Sequence, residues 1–378
     1  MVIPSRNGKA LLDAQLPGIT RELAGRPSEI IVIDNGSDDG TASWLATHWP
    51  RVRVEISPTP LSFARAVNRG IVGAVYSHVC LLNNDMLLEP GFFPALEAAF
   101  RRVPDLFCAT AQIVFPPGVR REETGKAVMA QDHPEDFPVR CDEPLEGEDG
   151  TWVLYGSGGC SLYDAAKLHA LGNVDEIYEP AYVEDLDLGW RAWQRGWPTV
   201  YVAGALVEHR HRATTSRYFT EEQLERILEV NYLKFVARAV DAPPLFRRLW
   251  RQALWRLELG AERPAFRLAL SEAWRIALAG GPRITPEFDE ESFMALTNGS
   301  VAIFPGTGEG RVQVAASPRL DPPSQEMLRQ YAEVTIVRGS RDGLAFRTAR
   351  DLARRKWPNA ICEEAERSGE PGYPARTT

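Results

Sequence analysis

Three observations predict an α/β fold built on a parallel, doubly wound sheet. Short apolar β runs alternate with helical patterns through the first hundred residues, the arrangement that winds a parallel sheet. The chain has 378 residues, 44% hydrophobic and 25% charged, enough for one large core and a smaller second unit. The apolar run Val79-Cys80-Leu81-Leu82 stops at Asn83-Asn84-Asp85, which sets a carboxylate at the mouth of a sheet, where hard cations and phosphates bind.

Taken in order, Met1 to Pro4, Glu29 to Asp34, Val52 to Ile56 and Val79 to Asn83 read as strands, with helices at Thr41 to Trp49 and Ser62 to Val75 between them. Gly91 to Arg102 is a further helix and Leu106 to Phe115 a further strand. Pro116 to Gly150 changes character, with ten acidic residues against four basic ones, and reads as a long surface excursion. Patterning resumes at Trp152, passes the turn Gly156-Ser157-Gly158-Gly159, and reaches a helix from about Glu184 to Arg195 and a strand at Thr199 to Val202.

The expected organisation is a sheet domain over residues 1 to 215 and a helical extension over 216 to 280, with helices at Glu221 to Val240, Pro244 to Leu259 and Pro264 to Ala279. A Pro/Gly-rich linker over 281 to 310 follows, then a small α/β appendage or truncated second module over 311 to 378. Gly306-Thr307-Gly308-Glu309-Gly310 lacks the Lys and helix of a phosphate loop and reads as linker. No internal repeat of fixed period is present. The chain starts almost inside its first strand, so a few upstream residues are expected.

Composition excludes several classes. The cysteines Cys80, Cys108, Cys141, Cys160 and Cys362 form no CxxC pair, which argues against a disulfide framework and a structural zinc site and fits a reducing cytoplasm. No run approaches the roughly 18 apolar residues of a spanning helix, and no basic-then-apolar signal opens the chain. A net charge of −8 argues against nucleic acid as a partner. Within 244 to 259, Leu245, Leu249, Ala253 and Leu257 form an i, i+4 stripe among arginines and tryptophans. That pattern suits either a helix on the inner face of an anionic membrane or one packed on the catalytic domain.

Six motifs carry a family resemblance: Pro4-Ser5-Arg6-Asn7, Ile33-Asp34-Asn35-Gly36-Ser37-Asp38-Asp39-Gly40-Thr41, Leu82-Asn83-Asn84-Asp85, Gly158-Gly159-Cys160-Ser161-Leu162, Glu184-Asp185-Leu186-Asp187-Leu188 and Val207-Glu208-His209. In this order they resemble the family 2 glycosyltransferases, most closely the bacterial rhamnosyltransferase-like branch, over roughly residues 1 to 240. The resemblance implies a GT-A-like doubly wound mixed sheet flanked by helices, followed by a helical segment and a small C-terminal α/β appendage. It also implies a nucleotide-sugar donor and a glycan or lipid-linked acceptor.

The same resemblance assigns roles. Asp85 is the expected ligand for Mg²⁺ or Mn²⁺, because such ions prefer oxygen and bridge a leaving diphosphate. Asn83 stands where the family often has an Asp, which removes one negative charge. His209 is the second expected metal ligand, with His211 two residues on, and the choice between them is open. Asp185 is the expected general base at a helix start, with Glu184 beside it, and attack opposite the leaving group inverts the anomeric centre. Asp34 suits the imide N–H of uracil or thymine, favouring a dTDP- or UDP-sugar over GDP. Pro4, Arg6, Asn35, Arg65 and Asn84 complete the expected nucleotide site, and Gly158, Gly159, Trp152 and Asp187 the sugar and acceptor site. Trp152, Trp190 and Trp193 are core residues by default. Three rivals stay open: a polyprenyl-phosphate sugar transferase, a nucleotidyltransferase and a noncatalytic nucleotide-sugar-binding module.

Overall fold

A computed structural model describes residues 1–103, 105–115, 124–127, 139–142, 145, 147–210, 218–260, 263–279, 286, 288–357 and 361–364. Strands β1 (Val2–Ser5), β2 (Ile31–Asn35), β3 (Arg53–Ser57) and β4 (His78–Leu82) lie parallel in the order β4-β1-β2-β3. Near-continuous apolar runs at Val2-Ile3, Ile31-Val32-Ile33 and Val79 to Leu82 are buried, as expected of parallel strands covered on both faces. Helices α2 (Thr41–His48) and α3 (Phe63–Gly73) stand where the sequence predicts them. Helix α1 (Lys9–Glu22) is an addition: Pro17 interrupts its pattern, yet Leu12, Leu16 and Ile19 bury one stripe at helical spacing.

The sheet becomes mixed at its centre. After β5 (Met86–Leu88) and α4 (Phe92–Arg102), β6 (Cys108–Val114) is separated from β4 by the antiparallel β10 (Cys160–Asp164). Helices α5 (Ala165–Ala170) and α6 (Glu184–Gln194) lead to β11 (Thr199–His209), which runs parallel to β6 and antiparallel to β9 (Thr151–Val153). The expected strand at Thr199 to Val202 therefore extends seven residues further. Its far end pairs with β5, opposing His209 to Met86.

Beyond the sheet centre, α7 (Glu221–Ala239), α8 (Pro243–Gly260) and α9 (Arg263–Ala279) form the helical extension. The expected linker is corrected in two places. Residues within 281–310 form α10 (Glu290–Leu296) and β12 (Asn298–Pro305). Glu290 accepts hydrogen bonds from Trp190 Nε1 (3.2 Å), Gln194 Nε2 (3.3 Å) and the backbone N–H groups of Asp241 and Ala242 (2.9 and 3.0 Å), so this segment is fixed to α6. Gly306 is no linker residue either: its N–H donates to Ala332 O, and a Cβ there would stand 1.8 Å from Tyr331 O.

The tail contributes β13 (Arg311–Ser317), α11 (Gln325–Gln330), β14 (Glu333–Arg338), α12 (Leu344–Lys356) and β15 (Ile361–Glu364). It does not stand apart. β12 joins β9 to β14, giving a thirteen-stranded sheet among the described residues, in the order β15-β13-β14-β12-β9-β11-β6-β10-β4-β1-β2-β3 with β5 on β11. The described part of the expected surface excursion carries a hairpin, β7 (Thr124–Ala127) with β8 (Val139–Asp142). Lys126 there makes a buried 2.7 Å ion pair with Glu148, against Gly299 of β12.

One local echo also emerges. The turn Gly339-Ser340-Arg341-Asp342-Gly343 between β14 and α12 repeats Gly36-Ser37-Asp38-Asp39-Gly40 between β2 and α2, with Arg341 where the first has Asp38. Among the described residues no helix is long and apolar enough to cross a membrane.

Candidate active site

Strands β1, β2 and β4 end at one edge, and the turn after β4 is held from three sides. Gln15 of α1 donates from Nε2 to the carbonyls of Asn83 and Met86 (2.5 and 2.7 Å). Asn84 donates from Nδ2 to Ser5 Oγ (2.9 Å), and Gly8 passes so close that a Cβ would stand 2.3 Å from both atoms. Arg210 N–H reaches Asp85 O at 2.9 Å. Pairing of β5 with β11 then brings His209 to Asp85, with Nε2 3.5 Å from Oδ2. Phe115 stacks on the His209 ring at 5.4 Å, fixing its plane.

These two side chains would suit a divalent cation, because Mg²⁺ and Mn²⁺ accept carboxylate and imidazole ligands. No group of three or more His, Cys, Asp or Glu is placed to hold a metal among the described residues. His211 lies outside the described residues.

The expected nucleotide residues divide. Asp34 is 2% exposed and accepts the Ser37 N–H at 3.2 Å, at the end of β2 beside β1. Pro4 sits inside β1 opposite Ile33. Arg6 lies over the Tyr218 ring, 3.9 Å from its centroid, and its buried Nε has no hydrogen-bond partner. Asn7, in the left-handed region at φ 51°, accepts the Asp38 N–H and donates to Tyr218 Oη (3.3 Å), closing this corner. Asn35 is corrected: its amide binds the Leu61 backbone on both sides (2.7 and 3.0 Å), so it clips a loop. Arg65 has carboxylate partners. It is 53% exposed and pairs with Glu176 and Glu179, because the first turn of α3 faces the 176–180 loop.

Next to the Asp85 turn, Gly158 N–H donates to Asp185 Oδ2 at 3.4 Å, and Gly159 O accepts the Asn83 N–H at 2.8 Å. The Gly158-Gly159 turn thus links the Asp85 turn to the Asp185 carboxylate. Asp185 is the second residue of α6, which follows two residues in the left-handed region, Tyr182 (φ 74°) and Val183 (φ 79°), a costly backbone for a β-branched side chain. Asn231 of α7 holds this turn, donating from Nδ2 to Ala181 O (2.8 Å) and Tyr182 O (3.2 Å).

Glu184 is buried, with Oε2 unpartnered. Burial, then repulsion from the Asp185 carboxylate, pushes its carboxyl well above the usual carboxylate range. Asp187 is corrected as an acceptor contact: fully buried, it accepts from Tyr178 Oη (3.1 Å) and Arg191 Nε (2.7 Å) and braces the fold. Trp152 is corrected likewise, since it is 3% exposed and packs edge-on against Trp193.

Sequence reasoning missed Gln15, Tyr218, Phe115 and Asn231. Gln15 is a buried polar residue at an apolar-stripe position, a detectable signal. Asn231 carries none, because nothing in α7 marks it as touching a turn some fifty residues earlier.

Residues 1–226 match the family model described as "Glycosyltransferase like family 2". The N-acetylglucosaminyl-diphospho-decaprenol L-rhamnosyltransferase of Mycobacterium tuberculosis (strain ATCC 25618 / H37Rv) is 30% identical over 218 residues, covering 51% of this chain and 69% of that protein. Among solved structures, S. aureus TarS 1-349 in complex with UDP-GlcNAc has a TM-score of 0.49 at 11% identity, covering 73% of this chain and 80% of that one. GalNAc-T7 with UDP, GalNAc and Mn2+ has a TM-score of 0.48 at 15% identity, covering 68% and 55%.

Proposed function

The chain belongs to glycosyltransferase family 2 and is a GT-A-like glycosyltransferase, and from that premise we propose an inverting, divalent-metal-dependent transfer of a sugar from a dTDP- or UDP-linked donor. Rhamnose is the proposed sugar and a lipid-linked glycan at the cytoplasmic face of the membrane the proposed acceptor. That choice follows the relative whose name carries rhamnose and a decaprenol-linked acceptor.

The observation that carries the reading is the Asp85–His209 pair facing Asp185 through the Asn83–Gly159 link. Asp85 and His209 would hold Mg²⁺ or Mn²⁺, which offsets the charge gathering on the leaving diphosphate. Arg6, whose guanidinium lies over Tyr218 at the end of β1, adds a positive charge for that diphosphate. Asp34 accepts the imide N–H of the pyrimidine. Asp185 takes the proton of the acceptor hydroxyl as its oxygen bonds to the anomeric carbon and the bond to the diphosphate breaks on the opposite face. Gly158 donates to Asp185 Oδ2 and keeps the carboxylate aimed into the cleft.

Calorimetric titration with UDP, dTDP and GDP, with and without Mn²⁺, tests the donor site. The expected result is metal-dependent binding of a pyrimidine diphosphate that Asp85→Ala loses. Absence of binding by folded protein, or equal binding by Asp85→Ala, would overturn the assignment.

A further inference from the structure

Helix α8 has two unlike faces. Leu245, Leu249 and Ala253 are fully or almost fully buried against the protein, so the i, i+4 stripe is a packing face. The one arginine held inward, Arg256, is neutralised by both oxygens of Glu229 (3.1 and 3.2 Å). Outward, Arg247, Arg248 and Arg251 line a groove of about 450 Å³ with Pro244 and Gln252. Among the described residues Arg247 reaches only the Pro243 carbonyl (3.1 Å). Arg248 and Arg251 make no hydrogen bond or ion pair with any described residue. Three guanidinium groups without a carboxylate partner among the described residues, on a chain of net charge −8, are a local reversal of its charge.

Apolar groups border this basic patch. Trp255 lies one turn beyond Arg251 on the same face and is 39% exposed. On α9, Trp274 is 49% and Leu268 70% exposed, and the Trp274 ring meets Trp250 of α8 at 5.6 Å, which joins the two helices into one surface. Exposed tryptophan and leucine beside unpaired arginines match the headgroup layer of a bilayer, where rings sit at the interface and guanidinium groups meet phosphates. A soluble phosphate would leave the exposed rings without a role.

We propose that the α8–α9 face, through Arg247, Arg248, Arg251, Trp255, Trp274 and Leu268, docks the protein on a membrane of anionic phospholipid. The inference does not depend on the donor or the reaction.

The test is co-sedimentation of the full chain with vesicles of phosphatidylcholine alone and of phosphatidylcholine with about 30% phosphatidylglycerol, at about 0.1 M and about 0.5 M salt. The expected result is binding to the anionic vesicles alone, weakened at high salt. Replacing Arg247, Arg248 and Arg251 together by Ala should lower partitioning on the order of 100-fold. These side chains are exposed, so thermal melting should match wild type. A second variant, Trp255→Ser with Trp274→Ser, should weaken binding without changing its salt dependence. No binding by wild type, or undiminished binding by the triple variant, overturns the proposal. Binding of inorganic phosphate measured by calorimetry, without vesicle binding, assigns the groove to a soluble anion and overturns it equally. Pyrimidine-diphosphate binding by the triple variant should stay at the wild-type value, which separates failure here from failure of the transferase reading.

Discussion

Gly189 sits in the middle of α6, four residues after Asp185, where the helix crosses the Leu154–Tyr155 backbone. A Cβ at this position would stand 2.4 Å from Leu154 O, 2.5 Å from Tyr155 Cβ and 2.7 Å from Tyr155 Cα. Two of these obstacles are backbone, so they cannot swing aside. Opening the tightest gap to the 3.4 Å of ordinary contact moves the helix by about 1 Å. Two effects follow for Gly189→Ala. Overpacking costs about 1–3 kcal/mol, offset in part by the roughly 1 kcal/mol by which Ala is the better helix former. Displacement of the Asp185 carboxylate by that distance should lower kcat about 100-fold. Steady-state kinetics with separate kcat and KM, alongside thermal melting and donor titration, measures all three. Donor affinity should hold, because the Asp85 turn rests on α1 and β1 rather than on α6. Gly204→Ala is the control: its Cβ would meet Ala95 Cβ at 3.6 Å, an ordinary contact, and it should change neither kcat nor melting. A Gly189→Ala enzyme with wild-type kcat would refute the view that seating of α6 sets the base.

Glu184 has its carboxyl raised from 4.5 by burial and by Asp185, so the folded state binds a proton the unfolded state releases, and stability falls as pH rises above that value toward the raised one. Glu184→Gln should remove this loss, up to about 1.4 kcal/mol per pH unit across that window, giving a higher melting temperature at pH 7 and little change near pH 4. Equal pH dependence of melting in both proteins would contradict a protonated Glu184. Asn231→Ala removes two hydrogen bonds to the turn before α6, so it should cost about 1–3 kcal/mol by chemical denaturation and lower kcat while leaving the donor dissociation constant unchanged. A drop in donor affinity with normal kcat would show that this turn serves the nucleotide instead.

The sheet was legible because burial on both faces writes apolar runs: Val79 to Leu82 and Ile31 to Ile33 read as strands from composition alone. Helix α1 was hidden by Pro17, and β12 by glycine and proline flanks that look like a linker until β9 and β14 are seen beside it. At the site, carboxylates at strand and helix ends were readable: Asp34, Asp85 and Asp185 all face one edge or the turn that borders it. His209 met Asp85 through a pairing of β5 with β11 that no local pattern announces. Other polar residues of the same stretches carry no such signal. Asn35, Arg65 and Asp187 all have partners of their own, and only three-dimensional neighbours distinguish a brace from a ligand. Trp152 is ambiguous for a related reason, since a large aromatic is as useful to the core, where it lies, as to a sugar.

The central claim is that Asp185 accepts the acceptor proton in a single inverting displacement, and the direct measurement compares wild type with Asp185→Asn. Donor binding is followed by calorimetry, and the anomeric configuration of the product by NMR. The account predicts an inverted product from wild type, and from Asp185→Asn unchanged donor affinity with transfer reduced at least about 100-fold. A product of retained configuration, or near-normal transfer by Asp185→Asn, would contradict it.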